Sequence, residues 1–139
     1  MNNHKLKEGQ IRSVFCPFSN QRKQANSLDV AGKERPAIII KILEHDIWVL
    51  EITKSCRGTK YEVKVDQCDL KIGNLPYLSY VRLDKIHTIS KEAVGREYGV
   101  VRFKKITEIK DRFFALLEQK TEDSTSKSKT FQRPSKPQS

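Results

Sequence analysis

The sequence is poor in the residues that staple, ligate or span. Among 139 residues there are three cysteines, one methionine and one tryptophan, and the 17 acidic residues are outnumbered by 27 basic ones. Cys16, Cys56 and Cys68 are odd in number, widely spaced and form no C-x-x-C pair, which argues against a disulfide framework and a zinc ribbon. They read as small buried residues before nucleophiles, with Cys56 set apart by its place in a turn. No apolar run approaches the ~20 residues of a spanning helix. Residues 1–8 carry charge with no apolar stretch behind it, so a cytoplasmic protein without leader or membrane segment is expected. There is no Walker-type glycine loop, no G-x-G-x-x-G and no H-E-x-x-H. His4, His45 and His87 stand singly, with no second ligand at metal spacing, so no metal and no cofactor is expected. The length fits one domain and excludes a doubly wound cofactor fold or an eight-fold α/β barrel.

What the sequence has in excess is positive charge, a formal +10. Polyanions are the partner class such a surface attracts, although charge alone serves solubility equally well. Its location narrows the choice. Residues 121–139 hold Lys127, Lys129, Arg133 and Lys136 against Glu122 and Asp123, which leaves 23 basic and 15 acidic residues in the rest of the chain. The part expected to fold is basic in its own right.

Hydropathy patterning reads as short strands. Residues 9–15 alternate, with Ile11, Ser13 and Phe15 on one face, and Pro17 ends the run. A polar stretch from Ser19 to Lys33 follows, long for a connection in so small a domain and of the kind that often carries function. The β-branched run Pro36-Ala37-Ile38-Ile39-Ile40-Lys41-Ile42 predicts a strand covered on both faces. Further strands are expected at 47–53, 61–65 and 79–89, with a short closing strand or bend at 98–103. Ile106, Ile109, Phe113, Leu116 and Leu117 form one stripe at helical period, with Thr107, Glu108 and Asp111 read as marking the start of the helix. Beyond Lys120, Ser, Thr, Lys, Pro and Gln dominate. The reading is therefore mainly β, a strongly bent antiparallel sheet or barrel with a C-terminal helix over residues 1–118, and a disordered basic tail at 119–139.

Three places carry candidate chemistry. In Lys33-Glu34-Arg35-Pro36 the proline drives Arg35 to extended geometry at the mouth of the buried strand. A guanidinium held there is a fixed fork for phosphate, or a solvated strand-entry arginine. Ile52-Thr53-Lys54-Ser55 sets hydroxyls and a lysine where a strand runs into a turn, which is also ordinary turn chemistry. In Arg82-Leu83-Asp84, strand alternation places a cation and an acid on one face.

Taken in order, Gly9-Gln10-Ile11, Phe15-Cys16-Pro17-Phe18, Lys33-Glu34-Arg35-Pro36-Ala37, Ile52-Thr53-Lys54-Ser55, Ser79-Tyr80-Val81-Arg82-Leu83-Asp84 with Ile89, and the terminal helix resemble the MazF/PemK family of toxin endoribonucleases over residues 8–118. The resemblance implies an SH3-like barrel with a C-terminal helix. It implies a toxin of a type II toxin-antitoxin system, working as a homodimer that cuts single-stranded RNA without metal and is silenced by an acidic antitoxin. Arg35 and Thr53 match the family's catalytic arginine and threonine, and Arg82 and Asp84 match a pair used by the PemK branch. Cleavage would run by attack of the 2′-hydroxyl, giving a 2′,3′-cyclic phosphate and a 5′-hydroxyl. That step requires a base, a cation for the crowded phosphate and a donor for the leaving oxygen. Asp84 is expected as the base, Arg35 or Arg82 as charge stabiliser and donor, and Thr53 as the group positioning the phosphate. Arg22, Lys23, Lys33, Lys54, Ser55 and Ser79 are expected to contact RNA. The PemK branch often carries a histidine between the first two strands, and residues 19–33 hold none. Two other functions fit the same fold: a nucleic-acid binder without catalysis, and a toxin that poisons gyrase.

Overall fold

The computed structural model describes residues 5–17 and 32–119. Strands β1 (Gln10–Pro17), β2 (Gly32–Ile42), β3 (Asp46–Thr53), β4 (Glu62–Val65), β5 (Leu70–Gly73), β6 (Ser79–Ser90) and β7 (Glu97–Val101) precede a single long helix, α1 (Phe103–Glu118). All seven strands join one antiparallel sheet in the order β4-β6-β3-β2-β1-β7-β5. The expected bent sheet with a terminal helix is what forms, but its hydrogen-bonded order stays open. Its two edges, β4 and β5, are only four residues long, which leaves little exposed ladder for another chain to pair with.

The run Ala37 to Ile40 is covered on both faces, as its continuous apolar pattern predicts. Ile38 and Ile40 enter the main core with Ile11, Leu50, Ile52, Val63, Val65, Val81, Leu83 and the helix residues Ile106 and Ile109. Ala37 and Ile39 point the other way, into a smaller cluster with Val14, Cys16, Ile47 and Val49. The same double cover shows in β1. Ile11 is in the main core, but its same-face neighbour Phe15 is exposed, and Val14 and Cys16 on the opposite face are the buried ones.

The helix begins earlier than the acidic residues suggest. Phe103–Glu118 has no acid in its first turn, so Glu108 and Asp111 lie in the helix body. Ile106 and Ile109 are buried, and Phe113 and Leu116 pack against the core. Leu117, expected in the stripe, is exposed. It sits ~80° round the helix from Ile109 at 3.6 residues per turn, on the flank of the buried arc. The edge of the sheet is fixed from the helix side. Lys105 reaches the Lys64 carbonyl at 3.2 Å, and Arg112 the Lys60 carbonyl at 3.3 Å. Between β5 and β7, Gly73 pairs with Gly99 so closely that a Cβ on Gly73 would lie 2.4 Å from the Gly99 Cα.

Candidate functional site

The site lies on the face of the sheet that carries the smaller core cluster. Ala37 is the cross-strand partner of Glu51, so Arg35 and Ala37 on β2 share a face with Glu51 and Thr53 on β3. Thr53 pairs with Tyr80, and Arg82 lies two residues further along β6 on the same side. Arg35, Thr53 and Arg82, far apart in sequence, therefore lie on one surface. At its centre the sheet is irregular. The β3–β6 register passes from Leu50–Ile86 to Ile52–Val81, so residues 82–85 stand opposite the single residue Glu51. This bulge detaches Arg82 and Asp84 from regular pairing with β3 and re-aims their side chains.

Each predicted group has a defined setting. Arg35 is partly buried, with Nε 3.7 Å from Glu51 Oε1. Thr53 ends β3, and its Oγ1 accepts a hydrogen bond from the Ser55 N–H at 3.1 Å. Among the described residues its own hydrogen has no acceptor. Arg82 grips Asp84 at two points, Nε to Oδ1 at 3.0 Å and Nη2 to Oδ2 at 2.9 Å. Burial pushes the Asp84 carboxyl up, but the hydrogen bonds and charge of Arg82 outweigh it and hold the group below the usual carboxylate range. The same hydrogen bonds raise Arg82 above the ordinary arginine value. A bound, ionised Asp84 is a weak proton acceptor and a strong brace for Arg82.

Among the expected RNA contacts, Lys33 and Lys54 are exposed, and the Lys54 ammonium stands 4.6 Å from the centre of the Tyr77 ring. Ser55 is exposed. Ser79 is buried, and its hydroxyl donates to the Tyr77 carbonyl at 2.8 Å. Thr53, Lys54, Tyr77 and Ser79 line one pocket of about 230 Å³ together with Pro36, Leu75 and Tyr98. Arg22 and Lys23, most of the 19–33 loop and the tail beyond Gln119 lie outside the described residues.

Two residues of the site were not legible as functional in the sequence, Glu51 and His87. Glu51 is buried, with Oε1 toward Arg35 and Oε2 2.7 Å from His87 Nε2. His87 reaches it from the far side of the bulge, so this histidine is not isolated in space. The signal available was a lone carboxylate inside the apolar strand Ile47-Trp48-Val49-Leu50-Glu51-Ile52, which needs a buried partner. Cys16 completes the group: its sulfur, a Glu51 oxygen and a His87 nitrogen all lie within 4.8 Å of one another. Burial, reinforced by the Glu51 carboxylate, pushes the Cys16 thiol up to about 12.

The surface thus presents two guanidinium groups, a threonine hydroxyl and a paired imidazole around one irregularity of the sheet. Such groups have the chemistry to hold and polarise a phosphate and to move a proton. Residues 7–117 match the family model of the PemK-like, MazF-like toxins of type II toxin-antitoxin systems. The chain belongs to this family. No curated protein matches it in sequence. Its fold is shared with several solved proteins at low identity. A mycobacterial endoribonuclease in complex with its cognate antitoxin superposes with a TM-score of 0.59 at 18% identity, over 84% of this chain and 99% of that one. A MazE–MazF complex from Deinococcus radiodurans gives a TM-score of 0.61 at 14% identity, over 85% and 100%. A further mycobacterial endoribonuclease gives 0.57 at 21% identity, over 83% and 92%.

Proposed function

We propose that this PemK/MazF-like toxin is an endoribonuclease that cleaves single-stranded RNA by attack of the 2′-hydroxyl on the adjacent phosphate, without a metal ion in the reaction. The observation that carries the reading is Arg35 held beside the Glu51–His87 pair on the face that also bears Thr53 and Arg82. Arg35 neutralises the charge that grows on the phosphate in the transition state. Thr53 donates its hydroxyl hydrogen to a phosphate oxygen and fixes its position. Asp84 keeps the Arg82 fork aimed at the same phosphate. Proton transfer falls to His87, because imidazole alone among side chains readily accepts and gives a proton near neutral pH, and Glu51 orients it. Exposed Lys33, Lys54 and Ser55 contact the RNA on either side. Two of the structurally similar proteins are solved with antitoxins. An acidic antitoxin segment competing for these same cations, and a homodimeric toxin, complete the proposal.

The test is incubation of the pure protein with a long single-stranded RNA in excess chelator. Discrete cuts ending in 2′,3′-cyclic phosphate and 5′-hydroxyl are expected. Arg35→Ala and His87→Gln should each slow cleavage by about 10²-fold or more, the scale on which loss of one preorganised transition-state group is felt. Asp84→Asn should act more mildly, since it loosens a brace. Intact RNA with the wild-type protein, bound but uncut, would replace this reading with that of a nucleic-acid binder.

A further inference from the structure

We propose that Cys16, Glu51 and His87 form a binding site for a thiophilic divalent cation of the zinc type, and that filling it switches off the phosphate site. The inference of a switch rests on the proposed nuclease reading; the inference of a cation site does not.

Three strands bring the three donors together. Cys16 comes from β1, Glu51 from β3 and His87 from β6. Their ligand atoms, one sulfur, one oxygen and one nitrogen, lie within 4.8 Å of one another. Zinc holds such atoms at about 2.0–2.3 Å, which puts any two of them roughly 3.3–3.8 Å apart around a tetrahedron. Small side-chain rotations that part the 2.7 Å Glu51–His87 contact and draw Cys16 in bring the set to that spacing around an ion. The donor types select among metals: a thiolate and an imidazole favour zinc and its neighbours, whereas magnesium and calcium require oxygen. Charge balance agrees. On binding, the Cys16 thiol loses its proton to solvent, and thiolate plus carboxylate neutralise the two positive charges of the ion; the Glu51 charge that faces Arg35 in the metal-free protein is thereby cancelled. Cys16 and Glu51 are buried, which excludes competing water from most of the shell. Three protein ligands leave a fourth position open to solvent.

Occupation has a direct consequence. His87 Nε2, which donates to Glu51 Oε2 in the metal-free pair, gives its hydrogen over to Nδ1 and becomes a ligand with one oxygen of Glu51, so the imidazole can no longer accept the 2′-hydroxyl proton and the carboxylate charge no longer serves Arg35. Without metal Glu51 stays hydrogen-bonded to His87 and ion-paired with Arg35. The site would make the toxin inactive when zinc is abundant and active when it is scarce.

The experiment uses the full chain, stripped with chelator and titrated first with Co²⁺ and then with Zn²⁺. One tetrahedral Co²⁺ per chain, with a thiolate-to-cobalt charge-transfer band displaced by Zn²⁺, is expected. Cys16→Ser should abolish the band and weaken Zn²⁺ binding at least tenfold, while the double substitution Cys56→Ser, Cys68→Ser leaves both intact. Thermal melts of each variant report whether it is folded, and His87→Gln supplies a second loss-of-ligand variant if Cys16→Ser does not fold. Absence of binding, or binding that survives both ligand substitutions, overturns the site. In the RNA assay, Zn²⁺ should slow the wild type and spare Cys16→Ser. Zinc binding with equal cleavage in both overturns the switch. Zinc binding by a protein that cuts no RNA under any condition leaves the cation site standing and removes the nuclease reading.

Discussion

At the scale of single residues, the group that holds the site's outer wall is Glu62. It is buried opposite Arg82, and its carboxylate accepts the backbone N–H groups of Arg57 at 2.9 Å, Gly58 at 3.0 Å and Thr59 at 3.3 Å. Three consecutive exposed residues of the turn after Thr53 are thereby tied back to β4. The Arg57 N–H bond is the largest influence on the group. Burial opposes it, the remaining donors add to it, and the net effect holds the carboxyl below the ordinary glutamate range. The linkage follows in sign. A depressed folded-state value means that the stabilisation is present above the unfolded value of about 4.3 and is lost as pH falls through the folded value. Unfolding in urea between pH 6 and pH 3 should therefore show stability falling steeply below about pH 4.3, with a shallower fall in Glu62→Gln. Equal slopes in the two proteins would remove Glu62 from this role. Because Lys54 and Ser55 lie at the start of the tethered turn, Glu62→Gln should also weaken RNA binding without touching Arg35.

At the scale of elements, how much was legible depends on whether a signal was local. The strands at 36–42, 47–53 and 79–89 and the terminal helix follow from β-branched runs, alternation and a 3.6-residue stripe, all of which reside in contiguous sequence. For β1, alternation groups Ile11 with Phe15 and Val14 with Cys16 but does not say which group is covered, because it cannot tell a second apolar cover from solvent. Arg35, Thr53 and the Arg82–Asp84 pair could be singled out as candidates because proline geometry, a strand end and a spacing of two are local facts, and their order along the chain carries the family resemblance. Glu51 and His87 were not, since they meet only across a bulge in which residues 82–85 oppose one residue of β3, and nothing in the sequence of either strand announces that slip. The helix carries a sharper contrast. Ile109 is fully buried and Leu117 is largely exposed, though both belong to the apolar stripe. Ile109→Ala should cost about 2–5 kcal/mol of unfolding free energy, the loss expected where a cavity is left in a packed core. Leu117→Ala should stay within about 0.5 kcal/mol. Urea denaturation of the two variants measures both, and a similar loss for each would mean that the outer flank of the helix is covered in solution.

At the scale of the whole molecule, the charge of +10 is not one undivided attraction. Several cations are engaged in the architecture. Lys105 is paired with Asp69 and Glu108 as well as the Lys64 carbonyl, Lys110 with Glu8, and Arg102 and Arg112 with backbone carbonyls. Lys33, Arg35, Lys54 and Arg82 instead converge on the proposed RNA face. Binding of single strands loses about 0.7 in the slope of log K against log salt for each phosphate neutralised. Four such contacts predict a slope of about −3, measured with an all-2′-deoxy strand that binds but lacks the attacking hydroxyl. Lys54→Ala should make the slope shallower by about 0.7, and Lys110→Ala, whose partner is Glu8 on the protein itself, should leave it unchanged. Equal changes for the two variants would mean that RNA responds to net charge alone. A change confined to Lys54 would mean that the face built by β2, β3 and β6 selects where the phosphates lie, and that the remaining positive charge serves to bring the strand near it.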